Sequence, residues 1–462
     1  MRCASGDIIM IRTKKTAADG DLTEGVIWKK LLGFFFPILF GMLFQQLYNT
    51  ADAIIVGQFV GTEALAAVGG SASVIINLVI GFFTGLASGA SVIISQCFGA
   101  RDDKRLSRTA HTIVCFCLVA GALVSAAACL LTPWALRLVR NPAETMADSI
   151  LYLRIYFVGT IPLMLFNVGS GILRAVGDSR RPLRFLIACC LSNIALDIVF
   201  VVVLRMGVAG VAWATVLAQL LSAVLVMRCL MRAEGPVRIS VRELRLDWPA
   251  LRSTLGIGVS AGVQSAMYSI SNIIIQAAVN DLGTTLVAAW TATGKIDGVF
   301  WVTSNAFGIA ICAFVGQCYG AGKIERMRKS VRVCFLMALG TAAVMSMGLI
   351  GFARPLLRLV TADGQVITLA AQIMRFFVPY YAVWIVIEIV SNTLRGVGDA
   401  VRPMLIVTVG VCLIRILWIA FVVPLYPGIR TISYSYPVSW SITALALTVY
   451  YFRSGRKWRS EA

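Results

Sequence analysis

Charge is scarce in this 462-residue chain: Asp, Glu, Lys and Arg together make up 14% of it, against about 25% in an ordinary soluble domain. With 59% hydrophobic residues and a mean hydropathy of +0.85, that deficit excludes a soluble globular protein. Acids are the scarcer sign, 22 against 41 Lys and Arg, and histidine occurs once, as His111. Gly258-Val259-Ser260-Ala261-Gly262 spells G-x-S-x-G, but a nucleophile elbow needs a strand-to-helix turn and a His partner. Here the motif lies in an apolar span starting near Leu251, and His111, near the start of the third span, reads as an interfacial residue. No G-x-x-x-x-G-K-[ST] occurs, since Gly294-Lys295 lacks the upstream glycine and the following hydroxyl, so ATP is not the direct energy source. The chain is therefore not read as an enzyme. None of the twelve cysteines forms a C-x-x-C pair and nearly all sit in apolar spans, so they read as small packing residues. The polar stretch up to Gly25 has neither an apolar h-region nor a small-residue cleavage site; no cleaved signal is expected, and the first span would direct insertion.

What is abundant is apolar sequence. Stretches long enough to cross a bilayer, about 20 residues, start near 31, 66, 109, 149, 185, 208, 253, 285, 332, 367, 403 and 431. The expected fold is an all-α integral membrane protein of twelve transmembrane helices. The formal charge of +19 could suggest nucleic acid, yet the basic residues collect in segments on one side, such as Arg101, Lys104 and Arg105, or Lys323, Arg326, Arg328 and Lys329. That asymmetry obeys the positive-inside rule, places both termini in the cytoplasm and leaves no nucleic-acid partner to invoke.

The chain also contains one plan written twice. ILRAVGDSRRP at 172–182 returns as TLRGVGDAVRP at 393–403, and QCFGA at 96–100 returns as QCYGA at 317–321, both 221 positions later. An even number of spans per repeat gives both halves the same orientation, hence two six-helix bundles related by a pseudo-twofold axis along the membrane normal. The expected division is a cytoplasmic segment 1–30, an N-lobe 31–230, a cytoplasmic linker 231–252, a C-lobe 253–452 and a cytoplasmic tail 453–462. In L-R-x-V-G-D-x-x-R-P, Gly ends one helix, Asp can cap the next and Pro begins it, so the motif reads as structural. Gly81, Gly85 and Gly89 form a surface on which another helix can approach closely.

A charge at mid-span costs about 2.5–3.5 kcal/mol, and only four acids lie there: Asp52, Asp197, Asp297 and Glu388. Tyr48 and Asp52 share a face of the first span, where Pro37 can bend the helix. Asn193 and Asp197 repeat the four-residue spacing in the fifth span, and Thr215 lies in the sixth. Brought together, they would bind a proton or a small cation, because two carboxylates at low dielectric do not readily both ionise. A Na⁺ at Asp52 and Asp197 is the one metal ion these residues allow. No cofactor is implied beyond that coupling ion, H⁺ or Na⁺.

Together, FQQLYNTADAIIVGQFVG at 44–61, ALAAVGGS at 64–71, SQCFGA at 95–100, NIALD at 193–197, KIDGVF at 295–300 and GQCYGAG at 316–322 carry a family resemblance. From about Leu22 to Phe452 the chain resembles a multidrug and toxic compound extrusion (MATE) transporter of the prokaryotic, DNA-damage-inducible type. The resemblance implies a bacterial inner-membrane antiporter. It would export amphipathic, cationic organic compounds in exchange for protons or Na⁺ by alternating access, with monomer as the expected state. It also implies that Tyr48, Asp52, Asn193, Asp197 and Thr215 form the cation-coupling network and that Pro37 bends the first helix between states.

The second half departs from a simple copy, because Asn193 and Asp197 correspond to Ile414 and Trp418. It carries Lys295, Asp297, Glu388 and Arg415 instead, two of each sign, and mutual neutralisation into buried ion pairs is the expected arrangement. A substrate site or a second cation site at Asp297 and Glu388 is the alternative, since another branch of the family places sodium in its C-terminal lobe. The rival function is a flippase or exporter of a lipid-linked or other specific metabolite on the same fold. That would need basic groups in the cavity, and the sequence reading finds only Lys295 and Arg415 in the spans.

Overall fold

The structure is a computed structural model and describes residues 20–139 and 141–457. Most of the expected N-terminal segment 1–30 and the end of the expected tail 453–462 lie outside these residues. Twelve rods follow in order: α1 Ile27–Phe59, α2 Thr62–Gly99, α3 Asp103–Leu138, α4 Met146–Val158 with Thr160–Ala175, α5 Arg180–Val203 and α6 Gly207–Met231. The second set is α7 Trp248–Asn280, α8 Thr284–Gly320, α9 Ile324–Gly351, α10 Gly364–Gly396, α11 Val401–Phe421 and α12 Ile429–Lys457. Starts at 27, 103 and 180 recur at 248, 324 and 401, the 221-residue period of the sequence repeat. Helices α1, α7 and α12 extend beyond the expected spans, to Ile27, Trp248 and Lys457.

Among the described residues nine helices are long and apolar enough to cross a bilayer, ten when the two halves of α4, bent by 47°, count as one. The other two, α7 and α12, are long enough but carry polar residues. In α12 these face inward: Ser433, Ser435, Ser439 and Thr443 are buried, and each hydroxyl donates to a carbonyl of its own helix. These four hydroxyls are thereby not left bare in hydrocarbon. Burial separates the layers: the apolar window of α8 is 67% buried, that of α3 only 22%, with Leu123, Leu130 and Trp134 turned outward. A soluble protein would cover such a surface, whereas lipid needs no cover.

The repeated L-R-x-V-G-D motif ends α4 and α10 alike. Gly177 and Gly398 take φ of +83° and +98°, and the amides of Asp178 and Asp399 donate back to Leu173 and Leu394, the six-to-one bond that closes a helix. Asp178 then accepts from the Arg180 and Arg181 amides and starts α5. Asp399 instead accepts from the Tyr450 hydroxyl and faces Arg402 at 3.8 Å. His111, near the start of α3, is 3% exposed: its Nε2 accepts from the Ser240 amide and pins the linker between α6 and α7 onto α3.

The two sets of six rods meet along α2. Gly85 and Gly89 pack on Gly262 and Gly258 of α7 so closely that a Cβ on either would overlap the opposing backbone. At the end carrying Lys323, Arg326 and Gly455, hereafter the basic end, Gly99 and Gly320 meet the Gln317 and Gln96 carbonyls in the same manner. Gln96 Nε2 donates across to the Gly396 carbonyl at 2.8 Å, and Gln317 Nε2 to the Ala175 carbonyl at 2.7 Å. These are repeat-related bonds, each capping a helix of the opposite lobe. The segment before α1 lies over this closure, where Leu22 donates to Gln317 Oε1 and accepts from Arg326.

Candidate functional site

In the first lobe the expected residues converge. Asp52 of α1 lies beside Asp197 and Asn193 of α5 and Thr215 of α6. They are 9%, 0%, 1% and 5% exposed, respectively. Thr215 donates its hydroxyl to the Val211 carbonyl, leaving its oxygen lone pairs toward the group. Among the described residues, Asp52 Oδ1, both carboxylate oxygens of Asp197 and both side-chain polar atoms of Asn193 have no hydrogen-bond partner. Buried acceptors in that state are costly; a proton on one carboxylate, or a small hard cation between them, removes the cost. The donors are carboxylate, amide and hydroxyl oxygens, a set that suits H⁺ or Na⁺ and not a thiophilic metal. Among the described residues no group of three or more His, Cys, Asp and Glu could hold a metal ion.

Local geometry explains the convergence. Asp197 is the last α-helical residue before a π-helical stretch, Ile198–Val203, a widening that commonly marks functional sites. Tyr48, one turn before Asp52, stands between this group and a central cavity of about 590 Å³. Three further residues close in that the sequence reading had not singled out: Tyr152 and Tyr156 of α4 and Gln219 of α6. Their signal was present as spacing, an aromatic pair four apart and a glutamine four after Thr215.

The second lobe is arranged differently, and the expected ion pairs do not form. Among the described residues, no nitrogen of Lys295 or Arg415 lies within 4.0 Å of a carboxylate oxygen. Lys295 is exposed, on the α8 stripe that leads through Gly298 and Val302 to the cavity-lining Asn305; its long stem can carry the ammonium out to water. Asp297 accepts from Trp301 Nε1 at 2.7 Å, while its Oδ1 has no partner among the described residues. Arg415 is 3% exposed, its guanidinium 3.9 Å from the Tyr436 ring centroid, with its Nε donating to Ser439. A cation over an aromatic face is stabilised without a carboxylate, which is why the pairing is dispensable. Glu388 turns elsewhere, into the central cavity, where Asn392 Nδ2 donates to it at 2.8 Å and Gly308 leaves it room against α8.

Asp297 and Arg415 instead share a second pocket of about 420 Å³ whose walls are largely aromatic. Tyr268, Trp301 and Trp384 line both this pocket and the central cavity, so the two adjoin. Pro37 lines the cavity from α1, which runs unbroken through it. Before that proline α1 packs on the second lobe, Phe35 stacking on Phe307 at 4.0 Å; beyond it Asp52 belongs to the first.

A family model described as MatE matches residues 37–199 and 261–420. The chain belongs to the MATE family of transporters. It is similar to a Bacillus subtilis (strain 168) protein named probable multidrug resistance protein YoeA, 25% identical over 434 residues, covering 92% of this chain and 93% of that one. A Shewanella oneidensis protein named FAD transporter is 25% identical over 358 residues, 75% of this chain and 77% of its own length. A solved structure described as the outward-facing conformation of a multidrug resistance MATE family transporter superposes with a TM-score of 0.89. It covers 97% of this chain and all of that one at 22% identity, a likeness of fold.

Two cavity residues of this MATE transporter were not foreseen. Arg174 and Arg395, the arginines of the repeated motif, are half-buried and line the central cavity. Reading the motif as a helix end had assigned them no role inside the membrane.

Proposed function

We propose that this MATE transporter is a secondary active antiporter that exports amphipathic organic compounds from the cytoplasm in exchange for protons or Na⁺. The observation that carries this reading is the buried Asp52–Asp197–Asn193–Thr215 group, with unpartnered carboxylate oxygens, separated by Tyr48 from an aromatic- and polar-lined cavity between the lobes. On this reading the basic end is cytoplasmic, both termini included, and the membrane is the bacterial inner membrane. The glutamine bonds and glycine contacts then seal the cytoplasmic side of a monomer. An external ion binds at Asp52 and Asp197, α1 bends about Pro37, substrate leaves, and opening of the cytoplasmic seal releases the ion inward.

Tyr268, Trp301 and Trp384 offer flat apolar surfaces to a substrate and Glu388 a countercharge for a cationic group. Exchange of one proton for one monovalent cation moves no net charge, so the pH difference alone drives it, about 1.4 kcal/mol per unit. A second ion per cycle would add about 2.3 kcal/mol per 100 mV of membrane potential, and two carboxylates allow that mode. Ethidium export from proteoliposomes under a pH gradient alone, or a Na⁺ gradient alone, tests the reading. Export under one of them identifies the coupling ion; export under neither withdraws the antiporter.

A further inference from the structure

The arginines of the repeated motif pose a physical question. Arg174 and Arg395 sit in the last turns of α4 and α10, 221 residues apart, where a basic side chain would ordinarily fold back onto the terminal carbonyls. That task is performed by other groups: Gln317 of the opposite lobe donates to the Ala175 carbonyl, and Gln96 to the Gly396 carbonyl. Both guanidinium groups are thereby released to the wall of the central cavity. Arg395 is held there by two neutral acceptors, Asn392 Oδ1 at 3.3 Å and Gln264 Oε1 at 3.0 Å. Among the described residues, neither arginine has a carboxylate within 4.0 Å, and the Arg174 side chain makes no hydrogen bond.

A half-buried guanidinium with no carboxylate nearby, as at Arg174, is unfavourable, whereas Arg395 faces Glu388 through the Asn392 amide that bonds both. Arginine is also the side chain best shaped to grip a carboxylate or phosphate through paired N–H donors. Glu388, the one acid lining the same cavity, is already engaged by Asn392. The cavity therefore offers two guanidinium groups, one carboxylate and a wall of Tyr268, Trp301 and Trp384.

We propose that Arg174, with Arg395 on the wall of the same cavity, anchors a subsite for an oxyanion, the carboxylate or phosphate of an aromatic substrate whose rings lie on Trp301 and Trp384. This deepens the export reading and rests on it: the compounds carried include ones bearing a negative group, with Glu388 free to meet a positive group on the same molecule.

The test is binding to purified protein, followed by tryptophan fluorescence and, for fluorescent probes, by polarisation. Two matched pairs are used. Flavin mononucleotide and riboflavin differ by a phosphate; fluorescein and its methyl ester differ by a carboxylate. The wild type is expected to hold the charged member of at least one pair about tenfold more tightly, the scale of charge-assisted hydrogen bonds. Discrimination in the first pair alone identifies phosphate, in the second alone carboxylate. Arg174→Gln should reduce the preference to within about twofold, Arg395→Gln should reduce it in part, and Arg174→Lys should restore some of it. Thermal melting and a monodisperse elution peak report that the variants are folded, and binding of ethidium, which carries no oxyanion, should not weaken along with that of the anions. Equal affinity within both pairs overturns the proposal, as does equal loss of ethidium and anion binding in a variant that elutes as a monodisperse peak. Ethidium export in proteoliposomes is scored separately: its failure with anion discrimination intact removes the antiporter reading and leaves the subsite standing.

Discussion

The two lobes share one backbone plan and use it for different chemistry. The 221-residue offset carries Gln96 onto Gln317, which make equivalent bonds across the lobes, and Arg174 onto Arg395, which both line the central cavity. The same offset carries Asp52 onto Ile273, Asn193 onto Ile414, Asp197 onto Trp418, Thr215 onto Tyr436 and Gln219 onto Trp440. Where the first lobe gathers oxygen donors, the second stacks rings around Arg415. Symmetry is retained where helices close on one another and is lost at the buried polar group and the aromatic pocket. On the proposed reading the difference is a division of labour, the first lobe answering to the ion and the aromatic side of the second to the substrate.

The comparison breaks most severely at the first-lobe carboxylates. Asp52→Asn and Asp197→Asn should each lower gradient-driven export by about a hundredfold or more, the scale expected when the coupling group itself is removed. Trp418→Ala, at the equivalent position of the second lobe, should leave the ion dependence intact. Transport assays on folded protein decide this, and wild-type export by Asp52→Asn would end the coupling role of that residue.

The next effect in size is on closure. Gly85→Val places a side chain where the Gly262 backbone already stands, and overpacking of that kind costs about 1–3 kcal/mol or more. Its melting temperature should fall by several degrees, whereas Gly340→Ala, with open space around its Cβ position, should leave it unchanged. Equal stability of the two variants would mean that α2 and α7 do not pack as described.

A smaller effect sharpens the account of the second lobe. Removing one partner of a buried ion pair typically costs 3–5 kcal/mol, and much of that is recovered when both partners go. Because Asp297 and Arg415 do not pair, Arg415→Leu and Asp297→Asn should instead combine with a coupling below about 1 kcal/mol in a double-mutant thermal melt. A coupling of several kcal/mol would restore the ion pair. The smallest effect belongs to the latches: Gln96→Ala or Gln317→Ala removes one cross-lobe hydrogen bond, worth about 1 kcal/mol. The inward-open fraction, measured by labelling of Cys318, which is buried beside Gln317 in the closed basic end, should rise about fivefold in either variant and by similar factors in both.

Much of the architecture was legible in the sequence because it depends on short-range regularities. Apolar runs count the spans, an offset reveals the repeat, and a four-residue spacing puts Tyr48 with Asp52 and Asn193 with Asp197 on single helix faces. What could not be read depends on how rods from different parts of the chain rotate against each other. Lys295, Asp297, Glu388 and Arg415 balance in number, but α8, α10 and α11 turn them toward the outside, two different cavities and an aromatic stack. Arg174 and Arg395 looked like helix-end residues because the glutamines that take over their capping role come from the opposite lobe, almost 150 residues away in one case and 300 in the other.

The most direct measurement is ion release on substrate binding to purified protein, with protons followed by a pH dye and Na⁺ by an isotope. The wild type, Asp52→Asn, Asp197→Asn, Asp297→Asn and Glu388→Gln would be compared. The account predicts release from the wild type, Asp297→Asn and Glu388→Gln, and none from the two first-lobe variants. Release that survives in Asp52→Asn and Asp197→Asn but disappears in Asp297→Asn or Glu388→Gln would place coupling in the second lobe and contradict it.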